Sequence, residues 1–368
     1  MHVRQSPLEW SGKWLAFLAV LLFILISLSS YSQFDDIKIS TKSRPALNNS
    51  KSTDPLQAYR IVAQHLLFKP VYQGVFISGN DVPIVDREAR LLFCWIPKNA
   101  CTMMKALACR KMGLANFTSN LSESALLDHK TVHQKCEIYY KNHQDNHIWT
   151  NDSWVRWALT RHPIDRLISG YHDKCIRKNV YCYNCTATDL KCFLQENYQY
   201  FTTASRRSRS PASAKGDQVG VYDHFAPQYW FCGFSDRMQL YDRVFVHAKS
   251  DTFAAQLREA FRERGYPASV LDTGWGLDGL QPFLSQEPPN SSSKVNPTLL
   301  KLQTNLELTE LIFRTYAIDF LFLNFGLPDW VGPLCNKPSA LRERKRFAVC
   351  HYWSLISELI NQHDSSTH

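Results

Sequence analysis

The sequence lacks the loop patterns by which kinases and many ATPases hold a nucleotide and its magnesium. It contains no Gly-x-x-x-x-Gly-Lys-Ser/Thr stretch, and neither a Walker B motif nor a kinase-type aspartate motif is evident. A nucleotide-dependent kinase needs such ligands for Mg²⁺, so this class of enzyme ranks well below the others. The chain also has no internal repeat, so it is not a repeat protein.

Acidic side chains are in deficit. Asp and Glu number 33 against 42 Lys and Arg, which gives a formal net charge of +9. A positive surplus favours anionic partners, namely nucleic acid, acidic glycans, phosphorylated cofactors or a membrane surface. The length of 368 residues and the hydrophobic content of 45% predict one large globular domain with appendages.

Histidines with a metal-ligand spacing are missing as well. The polar segment that follows residue 116 holds His129, His133, His143 and His147, but no two of them have a helical ligand spacing with a third partner. Cysteine is abundant, with 11 residues, and the closest group is Cys175, Cys182, Cys185 and Cys192. A reducing compartment would favour a zinc site for these four, and an oxidising compartment would favour disulfides.

The amino terminus decides between these two environments. Residues 14–28 are apolar, which is short against the roughly 20 residues of a typical span, but early-secretory membranes are thinner. Basic residues precede the run and acidic residues follow it, so the amino terminus is predicted to be cytoplasmic. We therefore predict a cytoplasmic tail at 1–13, a transmembrane signal anchor at 14–30 and a luminal stem at 31–85. A cleaved signal peptide is the alternative, because small residues follow the apolar core.

Asn-x-Ser/Thr sequons support a luminal location, and they begin at Asn48, Asn116, Asn120, Asn151, Asn184 and Asn290. An oxidising lumen makes disulfides the favoured prediction for the four closely spaced cysteines, with the connectivity left open. The cysteine total is odd. Because Cys101 lies within a candidate phosphate loop, we predict that Cys101 stays unpaired.

That candidate loop lies within residues 91–105, which predict a strand, a tight turn and the start of a helix. The apolar run 91–96 has the length of a buried strand, and Pro97 cannot continue a central strand. A turn of this kind leaves backbone N–H groups and the positive end of a helix dipole free to hold phosphate. Lys98 adds a point charge and Thr102 adds a hydroxyl donor. Taken alone, the stretch is better explained as an ordinary strand-to-helix turn.

A second unit of the same kind follows. Residues 154–160 predict a strand, which Arg161-His162-Pro163 ends, and residues 164–174 have helical periodicity. Arg161 is thereby placed at the carboxyl end of the strand, with Ser169 in the helix. Ligands of an open parallel sheet collect at this edge.

Several stretches resemble motifs of the membrane-bound carbohydrate sulfotransferases, the chondroitin/dermatan and related group. Residues 97–105, Pro-Lys-Asn-Ala-Cys-Thr-Met-Met-Lys, resemble that family's 5′-phosphosulfate loop, Pro-Lys-x-x-Cys-Thr-x-x-Lys. Residues 161–171 resemble its 3′-phosphate motif, Arg-x-Pro-x-x-Arg-Leu-x-Ser-x-Tyr. The segment with His224, Cys232 and Tyr241-Asp242 is similar in order and spacing to a downstream family segment. Residues 316–324 resemble the family's closing Tyr-x-x-Asp-Phe-x-x-Phe helix.

The resemblance implies an α/β fold and a P-loop-like sulfotransferase domain at 86–330 around a central parallel sheet. The sequence itself predicts a basic carboxy-terminal tail at 331–368, for which the family has no clear counterpart. The resemblance also implies 3′-phosphoadenosine-5′-phosphosulfate (PAPS) as donor, a glycan hydroxyl as acceptor, and a single-pass protein of the Golgi membrane with a luminal catalytic domain. PAPS carries phosphate at two ends, which matches two separated anion sites. We expect an acidic polysaccharide as the acceptor, no metal and no nucleic-acid partner.

Roles for single residues follow as predictions. Lys98 would neutralise the 5′-phosphate and the bridging oxygen as that oxygen gains charge. The remaining donor-binding residues would be Pro97, Asn99, Ala100, Cys101, Thr102 and Met103 in the first loop, and Arg161, Arg166 and Ser169 in the second. A catalytic base near the sulfate should be histidine or a carboxylate, and His224 is the first candidate and His133 the second.

Acceptor identity is the least transferable inference. Residue 162 is His where the family often has Asp or Glu, the match around 225–230 is loose, and the basic loop 204–218 has no clear counterpart. That loop is predicted to be a solvated surface loop, with contact to a polyanionic substrate as the alternative. A non-catalytic, glycan-binding relative is the second function considered, and the intact Lys98 and Arg161 argue against it.

Overall fold

The computed structural model describes residues 83–101, 104, 107–108, 111, 146–177, 182–203, 224–247, 251–271, 296–323, 325–337 and 347–354. All of them belong to one compact unit, Val71–His368. The predicted anchor 14–30, nearly all of the stem 31–85 and the basic loop 204–218 lie outside the described residues. Among the residues that the structure describes, no helix has the length and apolar character that a membrane crossing requires.

A mixed sheet forms the centre of the described chain. Its strands are β1 (Ile84–Asp86), β2 (Leu91–Cys94), β3 (Val155–Arg161) and β4 (Arg243–His247), in that spatial order. β2, β3 and β4 are parallel, as predicted, but β1 runs antiparallel to β2. The prediction of a parallel sheet is therefore wrong for β1. The turn 87–90 is too short for a parallel crossover, which takes a dozen or more residues, so only a hairpin can form.

Helices connect and cover these strands. They are α1 (Asn146–Thr150), α2 (Pro163–Tyr171), α3 (Leu190–Thr203), α4 (Phe234–Arg237), α5 (Asp251–Glu263), α6 (Ala268–Leu271), α7 (Pro297–Thr304), α8 (Leu306–Phe322) and α9 (Val331–Cys335). A π-helical turn, His172–Ile176, continues α2, and 3-10 turns occupy Gln228–Trp230 and Met238–Leu240. Helical residues also follow β2, at 101, 104, 107, 108 and 111, and occur at 348–354.

Both faces of the sheet are covered, which explains the continuous apolar run of β2. Side chains alternate along a strand, so Phe93 faces a cluster with α5 while Leu92 faces a second cluster with α1. In the first cluster the ring of Trp157 meets the ring of Phe261 edge-on, with centroids 5.3 Å apart. The helix α5 is amphipathic, and its apolar stripe is the part that packs on the sheet.

The cysteines form disulfides, as predicted for an oxidising compartment. In the described part of the chain the pairs are Cys175–Cys182, Cys185–Cys192, Cys94–Cys232 and Cys335–Cys350, and Cys101 is free. The zinc alternative for the four closely spaced cysteines is therefore wrong. The Cys94–Cys232 bridge ties the end of β2 to the segment that follows the first 3-10 turn.

Candidate functional site

The loop after β2 has a backbone suited to binding an anion. Lys98 and Ala100 both have positive φ, +73° and +57°, and Asn99 between them does not. An alternation of left- and right-handed residues turns successive N–H groups toward one side, which forms an anion-binding concavity. The helical residues begin at Cys101, and the amide of Met104 donates to the Ala100 carbonyl at 3.1 Å. This end of the helix is thus directed at the same concavity.

The second loop leaves the sheet at the same edge, because β2 and β3 are adjacent parallel strands. Arg161 ends β3, and its Nη1 donates to the Lys98 carbonyl oxygen at 3.2 Å. Burial lowers the pKa of the Arg161 guanidinium, and the nearby Asp165 acts in the opposite direction. Arginine nevertheless remains charged at neutral pH. The two predicted anion loops are therefore in direct contact.

One face of α2 and its π-turn lies against the first loop. Arg166 Nε donates to the Pro97 carbonyl at 2.9 Å, and the Asp173 carboxylate accepts from Lys98 Nζ. Residues three and seven positions apart share a helix face, so Ser169 lies between these two contacts. Ser169 is half-buried. Helix periodicity therefore places Ser169 on the face of α2 that carries these two contacts.

Arg166 is directed at backbone carbonyls. Its side chain is 1% exposed, Nη1 donates to the Ala226 carbonyl at 2.6 Å, and the guanidinium lies over the ring of Phe231 at 5.7 Å. Since Arg166 also donates to the Pro97 carbonyl, its side chain connects the first loop to the segment 225–231.

Asp173 is a site residue that the motif comparison missed. Its carboxylate pairs with Lys98, with Arg177, and with Lys174 at 3.4 Å. Burial by itself raises the pKa of the Asp173 carboxyl, but the charge of Lys98, together with those of Lys174 and Arg177, lowers that pKa well below its usual range. The spacing from Ser169, one helical turn, is the sequence signal that could have found it.

Gln228 is the second residue that was missed, and it lies fully buried between the two loops. Its Oε1 accepts from Asn99 Nδ2 at 2.7 Å and from the Arg161 amide at 2.9 Å, and its Nε2 donates to the Arg161 carbonyl at 2.7 Å. Asn99 Nδ2 also donates to the Leu159 carbonyl at 2.8 Å. Asn99 is thus a buried connector within the first loop.

His224 lies beside α2. A Cβ placed on Gly170 would come within 3.3 Å of the His224 carbonyl oxygen and 2.8 Å of the Phe225 ring, so the helix and this segment are in close contact. Only glycine fits at position 170 without displacing that ring. The His224 backbone is therefore adjacent to α2. His133, Thr102 and Met103, which were also predicted, lie outside the described residues.

His162, next to Arg161, is half-buried and packs against the segment around Gly326. Its Nε2 lies 3.1 Å from the Gly326 carbonyl, and its ring meets Phe320 and Phe325 edge-on. Burial lowers the pKa of His162, although its hydrogen bond to Gly326 acts in the opposite direction. Within the described segments, no group of three or more His, Cys, Asp or Glu side chains could hold a metal ion.

Comparison with known proteins connects this geometry to a family. The sulfotransferase family matches the chain over residues 83–326. An uncharacterized protein of Caenorhabditis elegans is 28% identical over 188 residues, which are 48% of this chain and 48% of the worm protein, so the chain matches about half of that relative. Carbohydrate sulfotransferase 11 of Rattus norvegicus is 22% identical over 266 residues, 69% of this chain and 70% of the rat protein, and the Mus musculus protein matches equally. No solved structure matches the chain significantly.

Proposed function

The chain belongs to the sulfotransferase family, and on that premise we propose that it transfers a sulfuryl group from PAPS to a hydroxyl of a glycan in the Golgi lumen. One observation carries the proposal. The two loops predicted to bind anions leave adjacent parallel strands at one sheet edge, and Arg161 of the second donates to the Lys98 carbonyl of the first. A nucleotide with phosphate at both ends needs two such loops. The printed names of the rat and mouse relatives support a carbohydrate acceptor.

In this proposal the first loop binds the 5′-phosphosulfate. The acceptor oxygen attacks sulfur as the bond from sulfur to the bridging oxygen breaks, and negative charge develops on the departing phosphate. Lys98 neutralises that charge, while the backbone amides of residues 99–103, with the Thr102 hydroxyl, hold the phosphate oxygens. The pairing of Lys98 with Asp173 holds the ammonium group at this edge.

The second loop binds the 3′-phosphate. Arg161 supplies a planar guanidinium, which can contact two phosphate oxygens at once, and Ser169 supplies a hydroxyl donor. Arg166 acts indirectly in this proposal, because its donors hold the Pro97 and Ala226 carbonyls. It positions the first loop against α2.

His224 is proposed as the catalytic base that accepts the proton of the acceptor hydroxyl, with His133 as the second candidate. The His224 backbone lies against α2 at Gly170, and α2 also carries the Arg166 contact to the first loop. The acceptor is proposed to be an acidic polysaccharide. The net charge of +9 supports this choice, as do the cationic Lys174 and Arg177 beside Lys98.

The cellular setting is part of the proposal. A single span at 14–30 would leave the domain 86–330 and the tail 331–368 in the lumen, where disulfides form and persist. The disulfides of the described residues support an oxidising compartment.

The test uses the full chain, purified in detergent, with radiolabelled PAPS and a panel of acidic and neutral glycans. Label transferred to an acidic glycan by the wild type and not by Lys98→Ala supports the proposal. Glycan binding without transfer of label would favour the non-catalytic relative. Label on neutral glycans alone would contradict the proposal of an acidic acceptor but would still support sulfotransferase activity.

A further inference from the structure

We propose that Gln228 is a positioning residue that sets the separation between the two phosphate-binding loops, and that Asp319 holds Gln228 in place for this purpose. The inference rests on the proposed function, since it assigns both loops to one donor molecule. Neither residue is among those predicted to contact PAPS. Both act through the loops they hold.

The Gln228 side chain connects the two loops without any intervening residue. One oxygen atom, Oε1, accepts from the first loop at Asn99 Nδ2, at 2.7 Å, and from the second loop at the Arg161 amide, at 2.9 Å. The Nε2 group closes the arrangement with a bond to the Arg161 carbonyl at 2.7 Å. Since the amide lies where water does not reach, moving either loop would leave a buried polar group unpaired.

Asp319 of α8 holds the short turn that carries Gln228. Its two carboxylate oxygens accept from the amides of Gln228 and Tyr229, at 2.8 and 2.9 Å. One turn earlier in α8, the hydroxyl of Tyr316 donates to the Phe225 carbonyl at 2.7 Å. The segment 225–229 is thus hydrogen-bonded to α8 at both ends. The backbone of Gln228 is therefore held in place while its side chain contacts the two loops.

A rigid support of this kind matters for a ligand with two charged ends. PAPS can satisfy both loops only if their separation matches the span of its phosphates, and any mismatch is subtracted from the binding free energy. A residue that only stabilised the fold would lower the melting temperature and leave donor affinity unchanged. A residue that sets the loop separation would also weaken donor binding in protein that is still folded.

The experiment compares Gln228→Met with Asn197→Leu. Both replace a fully buried amide by an apolar side chain of similar size, but Asn197, in α3, accepts its hydrogen bond from the Tyr183 hydroxyl in the loop before that helix and not from the described residues of either phosphate loop. Binding of 3′-phosphoadenosine 5′-phosphate is measured by calorimetry on the full chain, below the melting temperature of each variant. We expect Gln228→Met to raise Kd by about tenfold, with an unchanged KM for the glycan, and Asn197→Leu to leave Kd at the wild-type value.

Asp319→Asn is the second variant, and it remains informative if Gln228→Met does not accumulate. It removes a negative charge near an anion site, so Coulomb attraction alone would tighten nucleotide binding. We expect weaker binding instead, because one amide of the 228–229 turn loses its acceptor. Unchanged or tighter binding by both variants, or an equal loss in Asn197→Leu, would overturn the inference. A wild type that neither binds the nucleotide nor transfers sulfate would overturn the proposed function itself, and the inference with it.

Discussion

The ammonium group of Lys98 is paired with the carboxylate of Asp173, which lies 75 residues further along the chain. Both side chains are largely buried, with 17% and 18% of their surface exposed. Lys98 also has positive φ, so its backbone and its side chain are both held in one arrangement. The pair joins the loop after β2 to the π-turn after α2, which is where the two family motifs meet.

Replacing Lys98 should abolish transfer without unfolding the protein. We expect Lys98→Ala to lower kcat by about a hundredfold or more, because the departing phosphate loses its neutralising charge. Sulfate transfer and thermal melting are measured together. Lys191→Ala is the control, because Lys191 forms an exposed ion pair with Glu307. A rate equal to that of the control would remove the proposed role of Lys98.

Asp173→Asn should separate donor binding from turnover. The variant removes a negative charge beside the anion site, so Kd for the nucleotide is expected to fall by about threefold. Lys98 loses the partner that orients it, so kcat is expected to fall by about tenfold. Calorimetry and initial rates measure the two quantities. A higher Kd together with a lower kcat would show that Asp173 acts only through folding.

Arg161 should matter for donor affinity more than for the chemical step. We expect Arg161→Ala to raise the nucleotide Kd by about tenfold or more, and Arg161→Lys to recover only part of this, because an ammonium group cannot make the bidentate contact. Arg262→Ala, on the exposed face of α5, is the matched control. Donor binding that survived Arg161→Ala would make the second motif structural.

His224 should affect the rate and not the affinity. If His224 takes the acceptor proton, His224→Gln lowers kcat by about a hundredfold or more and leaves the nucleotide Kd unchanged. The exposed His172 provides the control, His172→Gln. Steady-state rates across pH and calorimetry are the measurements. A normal pH–rate profile in His224→Gln would assign the base to another residue, with His133 next.

Asp319 should give the stability a recognisable pH dependence. Burial raises the pKa of its carboxyl to about 6, from 3.8. The folded chain therefore binds more protons than the unfolded chain between these values, and the contribution of this group to stability decreases as pH rises from about 4 to about 6. A pKa difference of about two corresponds to about 3 kcal/mol. Denaturant unfolding of the wild type and Asp319→Asn should show the difference in unfolding free energy shifting by that amount, in favour of the wild type at low pH. A difference that is independent of pH would contradict the assignment.

Much of the local structure was predictable, and the reasons are local. The apolar run before Pro97 predicted β2, and the apolar spacing after Pro163 predicted α2, because strand and helix periodicities are properties of neighbouring residues. The prediction went wrong at β1. A parallel sheet was predicted, and the short turn 87–90 determines that the pairing of β1 with β2 is antiparallel.

The residues that hold the site together were not predictable in this way. Gln228 contacts Asn99 across 129 residues, and Asp319 contacts the Gln228 amide across 91. No periodicity extends over such distances, and a buried glutamine or aspartate looks the same in sequence as a solvated one. Their roles depend on desolvation, which exists only after the helices have packed on the sheet.

The amino-acid sequence by itself determined the positions of the two strand-to-helix loops, the strands and helices beside them, and the family to which the chain belongs. The tertiary structure alone decided which disulfides form, that Asp173 pairs with Lys98, and that Gln228 spans the two loops. The physical reason is that hydrogen bonds and ion pairs need specific distances, and those distances between remote residues are set by packing and not by order along the chain.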